Sequence, residues 1–294
     1  MKPKPKIIGL MAVKDEADLL PLVYPHVRGL VDYLYVYDDF SQDNTWELVK
    51  TSDYAIRGVD DVSRLEIPRP NYHHLLEKIK QDFEGEDVWV VLTMGDRFFL
   101  NKTPREIAEG AGPYNAVEGV QLDFLRHKYD PWTEENDPFP DYSNIRSICR
   151  WSRVDERCIV AFRLQPYLTY IGSKYPWPQR LHIQYGEVEQ PLLSVDMPFL
   201  EHQGRRSPKG LMHRIASGQR GISKKHPEYN ASSFQKIMET YDFLYNTNRI
   251  VPWIGPKSLE TLVWLNNEVM EKSKKRYFYL GLEAALGLVG LPPR

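Results

Sequence analysis

Three short apolar runs, each closing on acidic side chains, set the fold open to this chain. KIIGLMAV (6–13) leads into Lys14, Asp15 and Glu16; YLYVY (33–37) leads into Asp38 and Asp39; VWVVL (88–92) leads into Thr93, Met94, Gly95 and Asp96. Runs this short and this apolar have the length of buried strands. Between them, Leu19, Leu20, Val23, His26 and Val27 recur at near-helical spacing. Residues 41–50 open with helix-capping residue types, and Leu75, Leu76, Ile79 and Phe83 give residues 73–83 an apolar face. Strands alternating with helices predict a doubly wound, mostly parallel α/β sheet. The C-terminal ends of its strands share one edge, where such sheets bind ligands. The acids are therefore expected to line one cleft.

The rest of the chain is less regular. Residues 54–59 and 64–67 read as short strands, and Pro68, Arg69, Pro70 and Asn71 as a break. Residues 119–125 read as a strand with Gln121 and Asp123 on one face, by the strand period of two. A loop rich in Pro, Trp, Phe and acids follows at 129–142, a length typical of lids and substrate contacts. Residues 158–170 and 179–185 look like further strands, and from Ala231 onward the pattern is helical. The expected organisation is an α/β domain over 1–228 with a helical extension over 229–294.

Composition narrows the classes. With 294 residues and 42% apolar content, a large core is expected and wholesale disorder is not. A net charge of −2 gives no global pull toward nucleic acid or anionic membrane. The two cysteines, Cys149 and Cys158, fit no zinc spacing and read as buried free thiols in a reducing compartment. The N-terminal apolar run lacks the length and cleavage site of a signal peptide. No run reaches the ~18 apolar residues of a membrane span; the nearest, 277–291, is shorter and contains Glu283. A cytoplasmic protein without a transmembrane segment is expected.

The segments KIIGLMAVKDEADLL, DDFSQDNT and VWVVLTMGDRFFL, in that order, resemble the family 2 glycosyltransferases of the GT-A fold, over residues 6–100. The resemblance implies a Rossmann-like, doubly wound mixed sheet and a nucleotide-sugar donor. It sets Val13, Asp15 and Glu16 beside the base and ribose, with Asp15 where the family often has Asn. Asp39 falls on the aspartate that contacts the base, Asp38 beside it, and Ser41, Asp43 and Thr45 shape the turn and start the helix. Phe40 replaces the usual Gly. Arg69 and Gly95 complete the expected donor contacts. Asp96 takes the last position of the Asp-x-Asp pattern, where a carboxylate holds Mn²⁺ or Mg²⁺ against the diphosphate. Met94 takes the first, and a thioether suits a hard cation poorly; either one carboxylate with diphosphate and water suffices, or metal binding is weak or absent and Arg97 supplies positive charge instead.

A second stretch matters. Between His202 and Pro227 lie seven Lys or Arg and no acid. By the same resemblance His202 contacts metal or diphosphate, and Arg205, Arg206, Ser207 and Lys209 lie near the phosphates. Transfer to a hydroxyl needs a base. Asp123, Asp130, Glu187 and Glu189 are candidates, and Asp123 is favoured because its strand follows that of Asp96.

The expected activity is transfer of a sugar, with inversion, from a UDP-like donor to a glycan, lipid or small-molecule hydroxyl. Two other readings stand beside it. The basic stretch and the aromatics Trp132, Phe139, Tyr142, Tyr167, Tyr170, Tyr175 and Trp177 suit a hydroxymethylated DNA base as acceptor. The missing first aspartate suits a non-catalytic nucleotide-sugar-binding protein. A nucleotidyltransferase is disfavoured, because MAVKDE is no Gly-rich loop.

Overall fold

A computed structural model describes residues 4–58, 70–125, 151–165, 168–171, 182–185, 188–189, 192–202 and 251–252. The strands are β1 (Lys6–Val13), β2 (Tyr33–Asp38), β3 (Tyr54–Arg57), β4 (Val88–Met94), β5 (Arg97–Phe99), β6 (Ala116–Leu125), β7 (Trp151–Arg163), β8 (Leu168–Ile171), β9 (His182–Tyr185), β10 (Val188–Glu189), β11 (Leu192–His202) and β12 (Val251–Pro252). The helices are α1 (Leu20–Arg28), α2 (Thr45–Val49), α3 (Pro70–Asp82) and α4 (Pro104–Gly110).

The expected doubly wound α/β sheet is present, and it is mixed. Its strand order is β3-β2-β1-β4-β7-β6-β11-β5, with β12 paired to β7. The first four strands are mutually parallel, while β7 runs antiparallel to both β4 and β6. Strand β11 is parallel to β6 and antiparallel to β5. A separate antiparallel sheet joins β10, β9 and β8.

The central strands are apolar throughout because both of their faces are covered. Along β1, Ile7, Met11 and Val13 pack on one face with Leu20, Val23 and Val27 of α1, Val49 of α2 and Ile107 of α4. Ile8, Leu10 and Ala12 pack on the other with Leu75, Leu76 and Ile79 of α3. That alternation is the strand period of two read on both sides. Cys158 of β7 is a buried free thiol; Cys149 lies outside the described residues.

Several boundaries differ from the sequence reading. Helix α2 starts at Thr45, not Ser41, because the side chains before it bind a neighbouring loop. Helix α3 begins at Pro70, three residues early, since proline fits a first helical turn. Residues 158–170 are not one strand: β7 and β8 lie in different sheets, and Pro166 between them has no N–H for a ladder. Strands β5 and β11 and helix α4 went unread. The register of β11 on β6 shifts on either side of Pro198, which breaks the alternation that marks a strand. Helix α4 carried a legible signal, a capping box in which Thr103 accepts from the Glu106 N–H and the Glu106 carboxylate accepts from the Thr103 N–H. Residues 64–67 and the 129–142 loop lie outside the described residues, and of the helical extension expected over 229–294 only 251–252 are described, where they form strand β12 on β7 instead of helix. Among those described, no helix is long and apolar enough to cross a membrane.

Short β5 is held from outside the sheet. The Phe99 N–H donates to His26 Nε2 of α1 at 3.1 Å, and the Phe98 ring meets the His26 ring edge-on. To accept, that nitrogen must be the unprotonated one. Substituting His26→Leu keeps the bulk but leaves the Phe99 N–H without its acceptor. A loss of about 1–3 kcal/mol in urea denaturation is expected, with faster hydrogen exchange at Phe99. Unchanged exchange there would show that β5 is fixed by its pairing with β11 alone.

Candidate functional site

The sheet brings three strand tips to one level. Val13 of β1 pairs with Asp38 of β2, and Ala12 with Met94 of β4. The ladder continues one step past the strands: the Asp39 N–H donates to Val13 O at 3.0 Å and the Gly95 N–H to Ala12 O at 3.1 Å. The acidic tips therefore share one edge, as expected.

Beyond β1 the chain turns sharply at Asp15, whose φ is 46°. Asp and Asn are the side chains, glycine aside, that best tolerate this left-handed region. Three consecutive N–H groups then turn outward and find side-chain acceptors on the loop after β2. Asp15 N donates to Ser41 Oγ at 2.9 Å, Glu16 N to Thr45 Oγ1 at 2.7 Å and Ala17 N to Asp43 Oδ2 at 3.0 Å. In return Asp15 Oδ1 accepts from the Gln42 and Asp43 N–H groups. Lys14 Nζ donates to the carbonyls of Asp39 and Phe40. The Ser-x-Asp-x-Thr spacing thus matches three successive amides of another loop. Helix start is a minor part of its work: Asp43 Oδ1 accepts from Thr45 N at 2.9 Å.

The two adjacent aspartates differ. Asp38 is fully buried; it accepts from the Ser41 hydroxyl and N–H, and Arg57 Nε lies 3.4 Å from its Oδ2. Burial pushes its carboxyl above the usual value, against the pull of the Ser41 hydrogen bonds and the Arg57 and Lys14 charges. Its oxygens hold the loop together. Asp39 is half-buried and accepts from the Tyr37 hydroxyl at 3.1 Å. Phe40 keeps a positive φ of 54° although it is not glycine. Its ring lies so close to Gly58 that a Cβ there would stand 2.5 Å from it. Packing on Gly58 offsets the strain of the turn, about 1–2 kcal/mol.

Gly95 lets the third loop close. A Cβ at Gly95 would lie 2.0 Å from Glu16 Oε2, so the Glu16 carboxylate rests on the turn between β4 and β5. Glu16 and Asp96 are both buried. Arg97 follows, at 3% exposure. Its position pairs with His202 on β11, and His202 pairs with Asp123 on β6. Asp123, His202 and Arg97 thus form one row across three adjacent strands, and Asp123 is buried with Gln121 as expected from their spacing. Neither β5 nor β11 was read as a strand, so this row was not legible.

The donor set argues against a conventional cation site. Among the described residues no group of three or more His, Cys, Asp or Glu side chains could hold a metal ion. Asp96 offers a carboxylate and Met94 a thioether, a poor ligand for a hard cation. The turn therefore offers the expected Mn²⁺ or Mg²⁺ one carboxylate, Asp96, and a poorly suited thioether. Arg69, Arg205, Arg206, Ser207, Lys209, Asp130 and Glu187 lie outside the described residues, while Glu189 falls on β10 in the small sheet.

No family model matches the sequence, and no curated protein does. The chain is similar to several solved structures. One is S. aureus TarS 1-349 in complex with UDP-GlcNAc, at 11% identity and TM-score 0.39, over 95% of this chain and 83% of that one. Another is glucosyl-3-phosphoglycerate synthase from Mycobacterium tuberculosis with Mn²⁺, UDP-glucose and phosphoglyceric acid, at 14% identity and TM-score 0.34, over 84% and 86%. For TarS 1-349 with UDP the figures are 13% identity and TM-score 0.30, and the match covers 45% of this chain and only 39% of that one.

Two outcomes test the geometry. Gly95→Ala forces the Glu16 carboxylate off the turn and is expected to lower stability by about 1–3 kcal/mol; an unshifted melting temperature would mean that Glu16 has room to move. Asp38 binds its proton more tightly in the folded chain than in the unfolded one. Its contribution to stability is thus complete below the ordinary value of 3.8 and fades as pH rises through the raised folded value. Asp38→Asn removes that titration, so its stability should depend less on pH across this acidic window. Equal slopes in variant and parent would place the titration elsewhere.

Proposed function

We propose that the chain is a GT-A glycosyltransferase, transferring a sugar from a uridine diphosphate donor to an acceptor hydroxyl. One observation carries the reading. The loops after β1 and β2 are bound into a single wall at the ligand-binding edge of the sheet, and Asp15 Oδ2 stays buried there with no hydrogen-bond partner among the described residues. A buried acceptor without a donor costs about 1–3 kcal/mol, which a ribose hydroxyl or a uracil N–H recovers. Asp39, half-buried on the same wall, supplies a second acceptor for the nucleoside. The order of the three sequence motifs supports the same assignment.

The chemistry then falls to the row across β6, β11 and β5. Asp123 is the general base of this reading. It takes the proton of the acceptor hydroxyl as that oxygen attacks the anomeric carbon. The bond from that carbon to the phosphate oxygen breaks, and its electron pair leaves with UDP. Attack opposite the leaving group inverts the anomeric centre. The acceptor is proposed as a glycan, lipid or small-molecule hydroxyl. The DNA-base alternative rests on the basic stretch from Arg205, outside the described residues. Steep salt dependence of duplex binding would favour it.

Met94 favours a second reading, a nucleotide-sugar-binding protein without turnover. Donor hydrolysis with and without Mn²⁺ separates the two.

Asp39→Ala is expected to weaken UDP binding about tenfold in calorimetry, the loss of one half-buried acceptor. Unchanged affinity would put the nucleoside elsewhere. Asp123→Asn should retain UDP affinity while turnover falls about 10²- to 10⁴-fold. Undiminished transfer by that variant would pass the base role to Asp130, Glu187 or Glu189.

A further inference from the structure

Each arginine whose side chain is described, with one exception, holds a carboxylate. Arg28 pairs with Asp53 at 3.3 Å, Arg57 with Asp38 at 3.4 Å, Arg105 with Asp32 at 2.8 Å and Arg163 with Asp87 at 3.1 Å. Those four are far more exposed than the exception. Arg97 is 3% exposed, and its Nε and Nη2 are buried without a hydrogen-bond partner among the described residues. A guanidinium stays charged at any relevant pH, so it cannot escape this by losing a proton. An unpaired buried cation is unfavourable until an anion reaches it.

Its place in the fold says which anion. Arg97 follows the Gly95-Asp96 turn directly, and its strand is anchored by His26 on α1. It lies two strands from Asp123 in the same row, about 10 Å at the usual strand spacing. Met94, two residues before Asp96, offers a thioether, which a hard cation binds poorly. The same turn thus presents one carboxylate, Asp96, and next to it a guanidinium whose Nε and Nη2 have no hydrogen-bond partner among the described residues.

We infer that Arg97 receives the donor's diphosphate directly, doing without a metal what a bound cation does in a complete Asp-x-Asp site. This rests on the reading of the cleft as a nucleotide-sugar site. The guanidinium presents paired N–H groups to phosphate oxygens and offsets charge on the departing UDP. Donor binding is therefore independent of divalent cations.

Calorimetry on the full chain tests this with UDP, uridine and pyrophosphate, each in EDTA and in Mn²⁺. Wild type should bind UDP within about twofold in the two buffers. Arg97→Met should bind UDP and pyrophosphate about tenfold or more weakly, with uridine affinity unchanged and Arg97→Lys between the two. Without ligand, the melting temperature of Arg97→Met should hold or rise, because a buried charge has been removed. UDP bound only in Mn²⁺ overturns the inference, and so does full UDP affinity in Arg97→Met. A lower melting temperature with unchanged UDP affinity also overturns it, by showing that Arg97 serves a structural ion pair. Should Arg97→Met fail to fold, the EDTA result on wild type decides. Arg97-dependent pyrophosphate binding without any uridine binding sustains the anion site and removes the nucleoside reading. Failure of both UDP and pyrophosphate to bind removes the anion site.

Discussion

The hydrogen bonds from Asp15, Glu16 and Ala17 amides to Ser41, Thr45 and Asp43 are the constraint on which the cleft depends. Two strand-end loops would ordinarily move independently, because backbone groups past a strand's end have no ladder partner. Here the side chains of one loop satisfy the backbone of the other. The cost of ordering both is shared, and the left-handed turn at Asp15 is held from two sides. Everything proposed for nucleotide binding assumes this wall is rigid before the ligand arrives.

Acids at the opposite edge of the same sheet show what purely structural carboxylates look like. Asp32 accepts from the Ile7 N–H and from Arg105, which also reaches the Pro5 carbonyl. Asp53 accepts from the Leu34 N–H and from Arg28. Their partners are local and complete. At the C-terminal edge Asp38 follows the same rule, as the loop's internal clamp, while Asp15 has one oxygen bound and the other without a partner among the described residues. The contrast sorts the acids by role better than their shared position after strands does.

What could be read in the sequence was what depends on local pattern. The three apolar runs gave β1, β2 and β4 because strands buried on both faces need continuous apolar sequence. Gln121 and Asp123 declared their common face through their spacing. The roles of Ser41, Asp43 and Thr45 could not be read, because capping and cross-loop bonding use the same side chains. Strand β11 was hidden by Pro198 and its register shifts, and three-residue β5 is too short for any period. The row joining Asp123, His202 and Arg97 exists only through those two strands, so no local pattern could announce it.

Three unfavourable features gather at one edge of the sheet. Phe40 and Asp15 hold left-handed backbone, and among the described residues one buried oxygen of Asp15 has no donor and two buried nitrogens of Arg97 have no acceptor. Folding alone gives no reason to keep them, since apolar replacements of similar volume would remove the buried charge at little cost. Strain and orphaned polar atoms persist where a partner arrives later. The signs are complementary to one molecule: an acceptor on the wall suits the donors of a nucleoside, and a cation past the Asp96 turn suits the anion attached to it. A merely acidic surface groove would need neither the buried cation nor the fixed turn at Asp15. That pairing of opposite deficits fits the proposed nucleotide donor better than it fits a neutral ligand.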